Sequence, residues 1–166
     1  MSQIKVLITG TNGQLGSELR AICLNNEHII YRFIGRMEMD LEEIDQIQPI
    51  LESYKPNYIV HTAAYTAVDA AENHPEIADK INHLASLEIA KYCMQNHCRL
   101  LYISTDYVFK GDQATPLEED YPTNPINTYG ETKLKGELAI INTCPEAIII
   151  RTSWVYSGFG KNFVKT

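Results

Sequence analysis

Five short apolar runs, separated by segments of helical period, constrain this chain more than any other feature. The runs are "IKVLITG", "HIIYRFIG", "NYIVHTAA", "RLLYIST" and "AIIIRTSW". Each is rich in β-branched residues and too short for a helix, which marks it as a buried strand. Between them, residues 14–25 place Leu15, Leu19, Ile22 and Cys23 at helical spacing, and residues 41–54 do the same with Ile44, Ile47 and Leu51 around a local irregularity at Pro49. His74-Pro75 opens a longer helical pattern through Ala78, Ile81, Leu84, Ala85, Ile89, Tyr92 and Cys93, with the proline suited to a first turn. Residues 128–142 form another such segment. Strands apolar on both faces need a helical layer on each side, so the chain reads as α/β with a doubly wound parallel sheet, Rossmann-like, in one domain spanning 1–166. The expected strand order is 3-2-1-4-5, with a ligand cleft at the carboxyl ends near the switch between the first and fourth strands. The loops after Thr9, His61 and Ser104 then share that edge. Residues 106–127, with Pro116, Pro122 and Pro125, are too long for a simple connector and suit the rim of a site.

The first strand runs into "TGTNGQLG", which spaces Gly10, Gly13 and Gly16 three apart before a helix. In such a turn the first glycine permits the bend, the second lets backbone approach a pyrophosphate, and the third lets helix and strand pack closely. The helix start adds N–H donors and partial positive charge. A dinucleotide cofactor follows, held by Gly10, Gly13 and Gly16, with Asn12 in the same turn. The second strand ends in Gly35-Arg36, where an acidic residue would hold the 2′-hydroxyl of NAD. An arginine there suits a 2′-phosphate, which favours NADPH. Asp40, with Leu41 beside it, can still serve a ribose or adenine, so NADH stays open. A solvated surface charge is the plain alternative for Arg36.

Tyr129 and Lys133 stand four apart on one helix face, and Ser104 and Thr105 end the fourth strand. Reduction of a carbonyl needs a hydride donor, a proton donor to the developing alkoxide, and hydrogen bonds that hold the carbonyl. A free phenol titrates near ~10, and a neighbouring ammonium is expected to lower that value. The pair alone says little. In order after the glycine loop and the hydroxyl-bearing strand end, it reads as a catalytic set of Thr105, Tyr129 and Lys133.

Taken together, "ITGTNGQLG", "HTAAYTAVDAAE", "ISTDYVFKG", "YGETKLKGE" and "RTSWVY" resemble the dTDP-4-dehydrorhamnose reductases, extended short-chain dehydrogenases/reductases of nucleotide-sugar metabolism. The resemblance covers nearly the whole chain. It implies reduction of the 4-keto group of dTDP-4-dehydro-L-rhamnose by NADPH or NADH, giving dTDP-L-rhamnose for cell-surface polysaccharide. It also implies that Gln14 and Leu15 join the three glycines in the pyrophosphate loop and that Ala63, Ala64 and Thr66 run beside the cofactor. Val68, Asp69, Tyr107 and Trp154, with the strand-end Ser104 and Thr105, then lie near the sugar nucleotide. Helix capping for Asp69, core packing for Trp154 and loop packing for Tyr107 are the plain alternatives. Two departures from the family pattern are His61, where asparagine is frequent, and Tyr65, where histidine is frequent.

A net charge of −7 and the lack of a basic cluster argue against nucleic acid or an anionic membrane as partner. No apolar run approaches the ~20 residues of a membrane span, and the N-terminus lacks the features of a signal peptide. Cys23, Cys93, Cys98 and Cys144 form no C-x-x-C and read as reduced cysteines of a cytoplasmic protein. His74, His83 and His97 lack carboxylates at ligand spacing, so no metal site is expected. The partner is a dTDP-sugar, with a homodimer compatible and the oligomeric state open. The chain ends "SGFGKNFVKT" as a helix starts near Asn162, whereas family members continue. It therefore reads as an amino-terminal portion without most of the substrate lobe, with weak or no turnover by itself. Other readings are a nucleotide-sugar epimerase or dehydratase, a non-catalytic relative such as the regulatory subunit of methionine adenosyltransferase, and a dinucleotide-binding piece without chemistry. The dehydratase set is incomplete, because Asp106 is followed by Tyr107 and not by Glu.

Overall fold

The computed structural model describes residues 3–23 and 28–165. Strands β1 (Ile4–Thr9), β2 (Ile29–Ile34), β3 (Tyr58–His61), β4 (Arg99–Thr105) and β5 (Ile148–Thr152) are the five apolar runs, and they pair in parallel. The doubly wound, Rossmann-like architecture is as expected, but the strand order is not. The sheet runs β2-β1-β3-β4-β5, so β3 lies on the far side of β1 from β2, in place of the expected 3-2-1-4-5. The reason is visible in burial. β2 exposes Ile30 and carries Arg32 under solvent, as an edge strand can, whereas β3 buries Ile59 and His61 almost completely. The direction of winding therefore reverses between β1 and β3, and the cleft opens there rather than between the first and fourth strands.

Helices α1 (Gln14–Ile22), α2 (Ile44–Tyr54), α3 (Val68–Asn73), α4 (Pro75–Asp79), α5 (Ala85–Asn96) and α6 (Thr128–Thr143) connect the strands. The stretch expected as helix over 14–25 ends at Ile22, and Leu24 and Asn25 lie outside the described residues. Pro49 sits inside α2 without breaking it. One core joins Leu7, Ile59, Leu100 and Tyr102 of the sheet to Ile47 and Leu51 of α2, Ile89 and Cys93 of α5 and Ile140 of α6. These three helices thus form one layer. α1 takes no part in that cluster; its Arg20 lies over the Phe33 ring.

Between α4 and α5 the helix widens into a π turn, Lys80–Leu84. Such bulges insert one residue and turn a side chain off the regular face. Here that side chain is Asn82, buried against α6. The start of α6 is set by Asn127, whose Oδ1 accepts the Gly130 N–H at 2.8 Å. The Thr128 N–H and hydroxyl both donate to the Glu72 carboxylate of α3.

The long segment after β4 is anchored by one buried ion pair. Glu137 of α6 is 1% exposed and receives Arg151 of β5 through Nε at 3.0 Å and Nη2 at 2.7 Å. The same guanidinium donates to the Glu119 carbonyl oxygen and lies over the Phe109 ring. Removing one partner of a buried pair strands the other charge. Arg151→Ala is therefore expected to lower the unfolding free energy by about 3 kcal/mol, measured by urea titration.

Candidate active site

The loops after the strands enclose a cleft of about 590 Å³, within the range of small-molecule and cofactor sites. Gly10, Gly13, Gln14, Leu15 and Gly16 line it from the β1–α1 turn, and Arg36, Asp40 and Leu41 from beyond β2. Ala63, Ala64, Thr66 and Val68 follow β3; Ser104, Thr105 and Tyr107 follow β4; Tyr129 and Lys133 enter from α6, and Trp154 from beyond β5. Two of the sequence-derived candidates are not brought in. Asn12 is exposed in the turn with its side chain toward Gly35, and Asp69 is exposed on α3. Tyr65, Asp106 and Val155, which lie within the quoted motifs but were given no role at the cleft, also line it, as does Met39, which no motif marks.

The glycine loop is built by close approach. Gly10 has φ +71°, and a Cβ there would stand 2.8 Å from the Ala63 nitrogen. A Cβ on Gly16 would stand 2.2 Å from the Gly10 carbonyl oxygen, so only glycine lets α1 start against the turn. α1 has no side-chain cap at Gly13, which leaves its first N–H groups facing the cleft for an anion. The hydroxyls of Thr11 and Ser104 are buried and without a protein partner. Of the two, Ser104 lines the cleft, where a buried polar atom left unpaired points to a bound group. A dinucleotide with a polar substrate fits these features: phosphates against the uncapped turn, and a substrate oxygen within the hydroxyl-lined end.

Arg36 stands at the end of β2, where the sequence placed it, but it is not free. Its Nε donates to Asp40 Oδ2 at 2.9 Å, and Nη2 pairs with Glu42. The Asp40 hydrogen bond holds the guanidinium pKa above its ordinary value.

Tyr129 meets the Tyr107 ring edge-on at 5.5 Å. Thr105 donates to Asp106 Oδ1 at 3.1 Å and accepts the Tyr107 N–H at 3.2 Å, which fixes its hydroxyl at the strand end. Burial raises the Tyr129 pKa, and its hydrogen bond with Thr105 opposes this only in part. The expectation that Lys133 lowers the phenol pKa is therefore corrected: burial outweighs the groups that would lower it. Lys133 is 1% exposed, donates to the Ile103 carbonyl oxygen at 2.7 Å and lies 4.0 Å from the centre of the Tyr102 ring. Burial lowers its own pKa to about 7, with Glu137 opposing. The result is a protonated phenol above an amine that titrates near neutrality.

Trp154 is 72% exposed, so the core-packing alternative does not hold; its ring stands edge-on to Phe163 at 5.1 Å. Phe163–Lys165 forms a single 3₁₀ turn where a helix start was expected. Among the described residues, no group of three or more His, Cys, Asp or Glu gathers as metal ligands, and no helix is long and apolar enough to cross a membrane.

A doubly wound sheet whose carboxyl edge gathers an uncapped glycine turn with Thr105, Tyr129 and Lys133 around one cleft defines a Rossmann-type fold. The sequence matches the RmlD substrate binding domain family over residues 4–166, and the chain belongs to that family. It is 39% identical over 165 residues to the dTDP-4-dehydrorhamnose reductase of Escherichia coli K12, covering 98% of this chain and 55% of that protein. The Aggregatibacter actinomycetemcomitans dTDP-4-dehydrorhamnose reductase is 36% identical over 162 residues, with the same coverage. The crystal structure of the Bacillus anthracis dTDP-4-dehydrorhamnose reductase in complex with NADP superposes with a TM-score of 0.92 at 39% identity, over 98% of this chain and 58% of that one. The chain thus spans about half the length of the curated relatives it matches.

The two buried bases make stability depend on pH. His61 is fully buried, and burial, then the Lys133 charge, lowers its pKa from 6.5 to about 3. Below pH 6.5 the unfolded chain takes up a proton that the native imidazole refuses, so stability falls as pH drops toward 3. The slope is about 1.4 kcal/mol per pH unit. For Lys133 the native amine loses its proton at about 7 and the unfolded one at 10.5, so stability rises with pH across that window. Urea midpoints measured against pH are expected to show both limbs, with His61→Asn flattening the acid one and Lys133→Met the alkaline one.

Proposed function

We propose that this chain forms the cofactor-binding and proton-transfer part of a reductase that takes dTDP-4-dehydro-L-rhamnose to dTDP-L-rhamnose with NADPH. One observation carries the reading: Tyr129 and Thr105 line the same cleft as the glycine turn, with Lys133 buried in its wall. When bound, the nicotinamide supplies a hydride to the keto carbon. The chain's own groups do the rest. The raised pKa keeps Tyr129 protonated at neutral pH, so its hydroxyl can donate to the oxygen as negative charge develops there. The unpartnered Ser104 hydroxyl can donate to that oxygen, and Thr105 joins it once its proton turns away from Asp106 Oδ1. Lys133 supplies the positive charge that offsets the phenolate left behind.

The similar proteins named as dTDP-4-dehydrorhamnose reductases, one of them holding NADP, support the substrate and cofactor class. NADH remains the second cofactor, since Arg36 must leave Asp40 and Glu42 before it can meet a 2′-phosphate. Tyr107 and Trp154 line the cleft, which supports them as contacts for the sugar nucleotide, and the exposed Asp69 takes part only if α3 turns toward the cleft. Residues 1–166 act as the dinucleotide-binding domain, while the sugar lobe belongs to the further length present in the relatives. The reaction is cytoplasmic and a homodimer is compatible with it. Turnover by the 166-residue chain alone is expected to be weak.

NADPH oxidation with dTDP-4-dehydro-L-rhamnose, run on this chain and on one extended to the length of the relatives, tests the reading. The extended protein should turn over, and its Tyr129→Phe variant should lose about a hundredfold in kcat or more while binding NADPH as before. Unchanged turnover in that variant would remove Tyr129 as proton donor.

A further inference from the structure

The proposed function leaves one buried polar chain unused, and it runs beneath the whole cleft. Thr9 Oγ1, at the end of β1, accepts the backbone N–H groups of Thr62 and Ala63, each at 3.2 Å. Its single proton is then left for His61 Nδ1, 2.8 Å away. That nitrogen must accept, so the ring proton sits on Nε2. Nε2 faces Ser86 Oγ at 3.4 Å, and the Ser86 hydroxyl donates to the Asn82 carbonyl oxygen at 2.9 Å. The Asn82 side chain continues the path. Its Oδ1 accepts the Tyr65 N–H at 2.8 Å, and its Nδ2 donates to Thr132 Oγ1 at 3.1 Å. Thr132 donates in turn to the Tyr129 carbonyl oxygen at 3.0 Å. Thr9, His61, Asn82, Ser86 and Thr132 are all buried.

We propose that His61 is a positioning residue, a neutral Nε2-protonated imidazole that fixes the spacing between the cofactor loops and the Tyr129 helix. The proposal rests on the reductase reading for its consequence but not for its geometry. At one end the chain holds Thr9 and Ala63, which line the cleft; Ala63 also meets Gly10, the hinge of the glycine turn. At the other end it holds the first turns of α6. Only one protonation state satisfies every partner. Protonating Nδ1 would set its N–H against Thr9 Oγ1, which already accepts twice, and force Thr9 to rotate away from the Ala63 backbone. The titratable groups facing the ring are Tyr102 of β4, with ring centroids 5.5 Å apart, and Lys133 of α6, whose charge opposes a second positive charge. Neither offers the imidazole a negative partner. β1 and α5 present it only with hydroxyls, those of Thr9 and Ser86.

Two measurements on this chain test it. Long-range ¹⁵N–¹H spectra should show His61 as the Nε2–H tautomer with no titration between pH 5 and 8. An Nδ1–H form, or a midpoint near the ordinary value of ~6.5, would overturn the proposal. NADPH affinity is the second readout. His61→Val, which leaves the Thr9 hydroxyl without an acceptor, should weaken binding about tenfold. His61→Asn, which restores an acceptor for Thr9, should recover it to within about threefold. Equal affinities for wild type and His61→Val would overturn the positioning role. So would equal losses in the Val and Asn variants, since that is the pattern of a merely space-filling ring. If His61→Val does not fold, Thr9→Val against Thr9→Ser gives the same contrast from the other side of the bond. The tautomer spectrum needs no cofactor. A wild-type chain that binds no NADPH would therefore count against the reductase reading, while the spectrum still decides His61.

Discussion

The placement of the catalytic helix depends on one backbone contact. A Cβ on Gly136 of α6 would stand 2.2 Å from the Asn82 carbonyl oxygen in the π turn. Without a side chain there, α6 presses directly onto the turn, and Asn82 reaches past it to Thr132. Every polar atom near this contact has a partner: the Asn82 carbonyl takes Tyr102 and Ser86, and its amide takes Tyr65 and Thr132. In an interior of low dielectric, such a saturated contact has few alternative arrangements, because any shift leaves a buried group unpaired. The helix held there is the one that carries Tyr129 and Lys133.

The electrostatics of the cleft are set by burial more than by pairing. Tyr129, His61 and Lys133 all have pKa values moved toward their neutral forms, and desolvation is the leading cause each time. The cleft and the wall beneath it thus disfavour charge while presenting a hydroxyl and an amine. A developing oxyanion would be the first full negative charge within it apart from Asp106 and Asp40 at its rim. Glu137, a buried carboxylate, is already committed to Arg151.

Much of this was legible in the sequence, for physical reasons. Strand runs and helical faces follow from hydrophobic period, and all five strands appear where the period places them. The glycine turn was legible because close approach leaves no other residue type, as Gly10 and Gly16 show. The order of β2, β1 and β3 was not, since both crossovers have the same local pattern; edge exposure on β2 separates them only in three dimensions. Lys133 was found by spacing, yet its partner was not, because its Nζ bonds a backbone carbonyl thirty residues away that no motif marks. Asn82 was missed for a similar reason: a π turn carries no period of its own. His61 stood out only as an unusual residue, and its role needs the positions of Thr9 and Ser86.

β5 pairs with β4 on one side and leaves its other side open, with Ile148 and Ile150 substantially exposed. Unlike β2, where Arg32 interrupts the edge, the first three residues of β5 are isoleucines. A strand of this kind offers unpaired N–H and C=O groups beside an apolar surface, the arrangement that recruits another strand in register. Along β5 the sheet therefore presents a surface on which a further strand can pair in register.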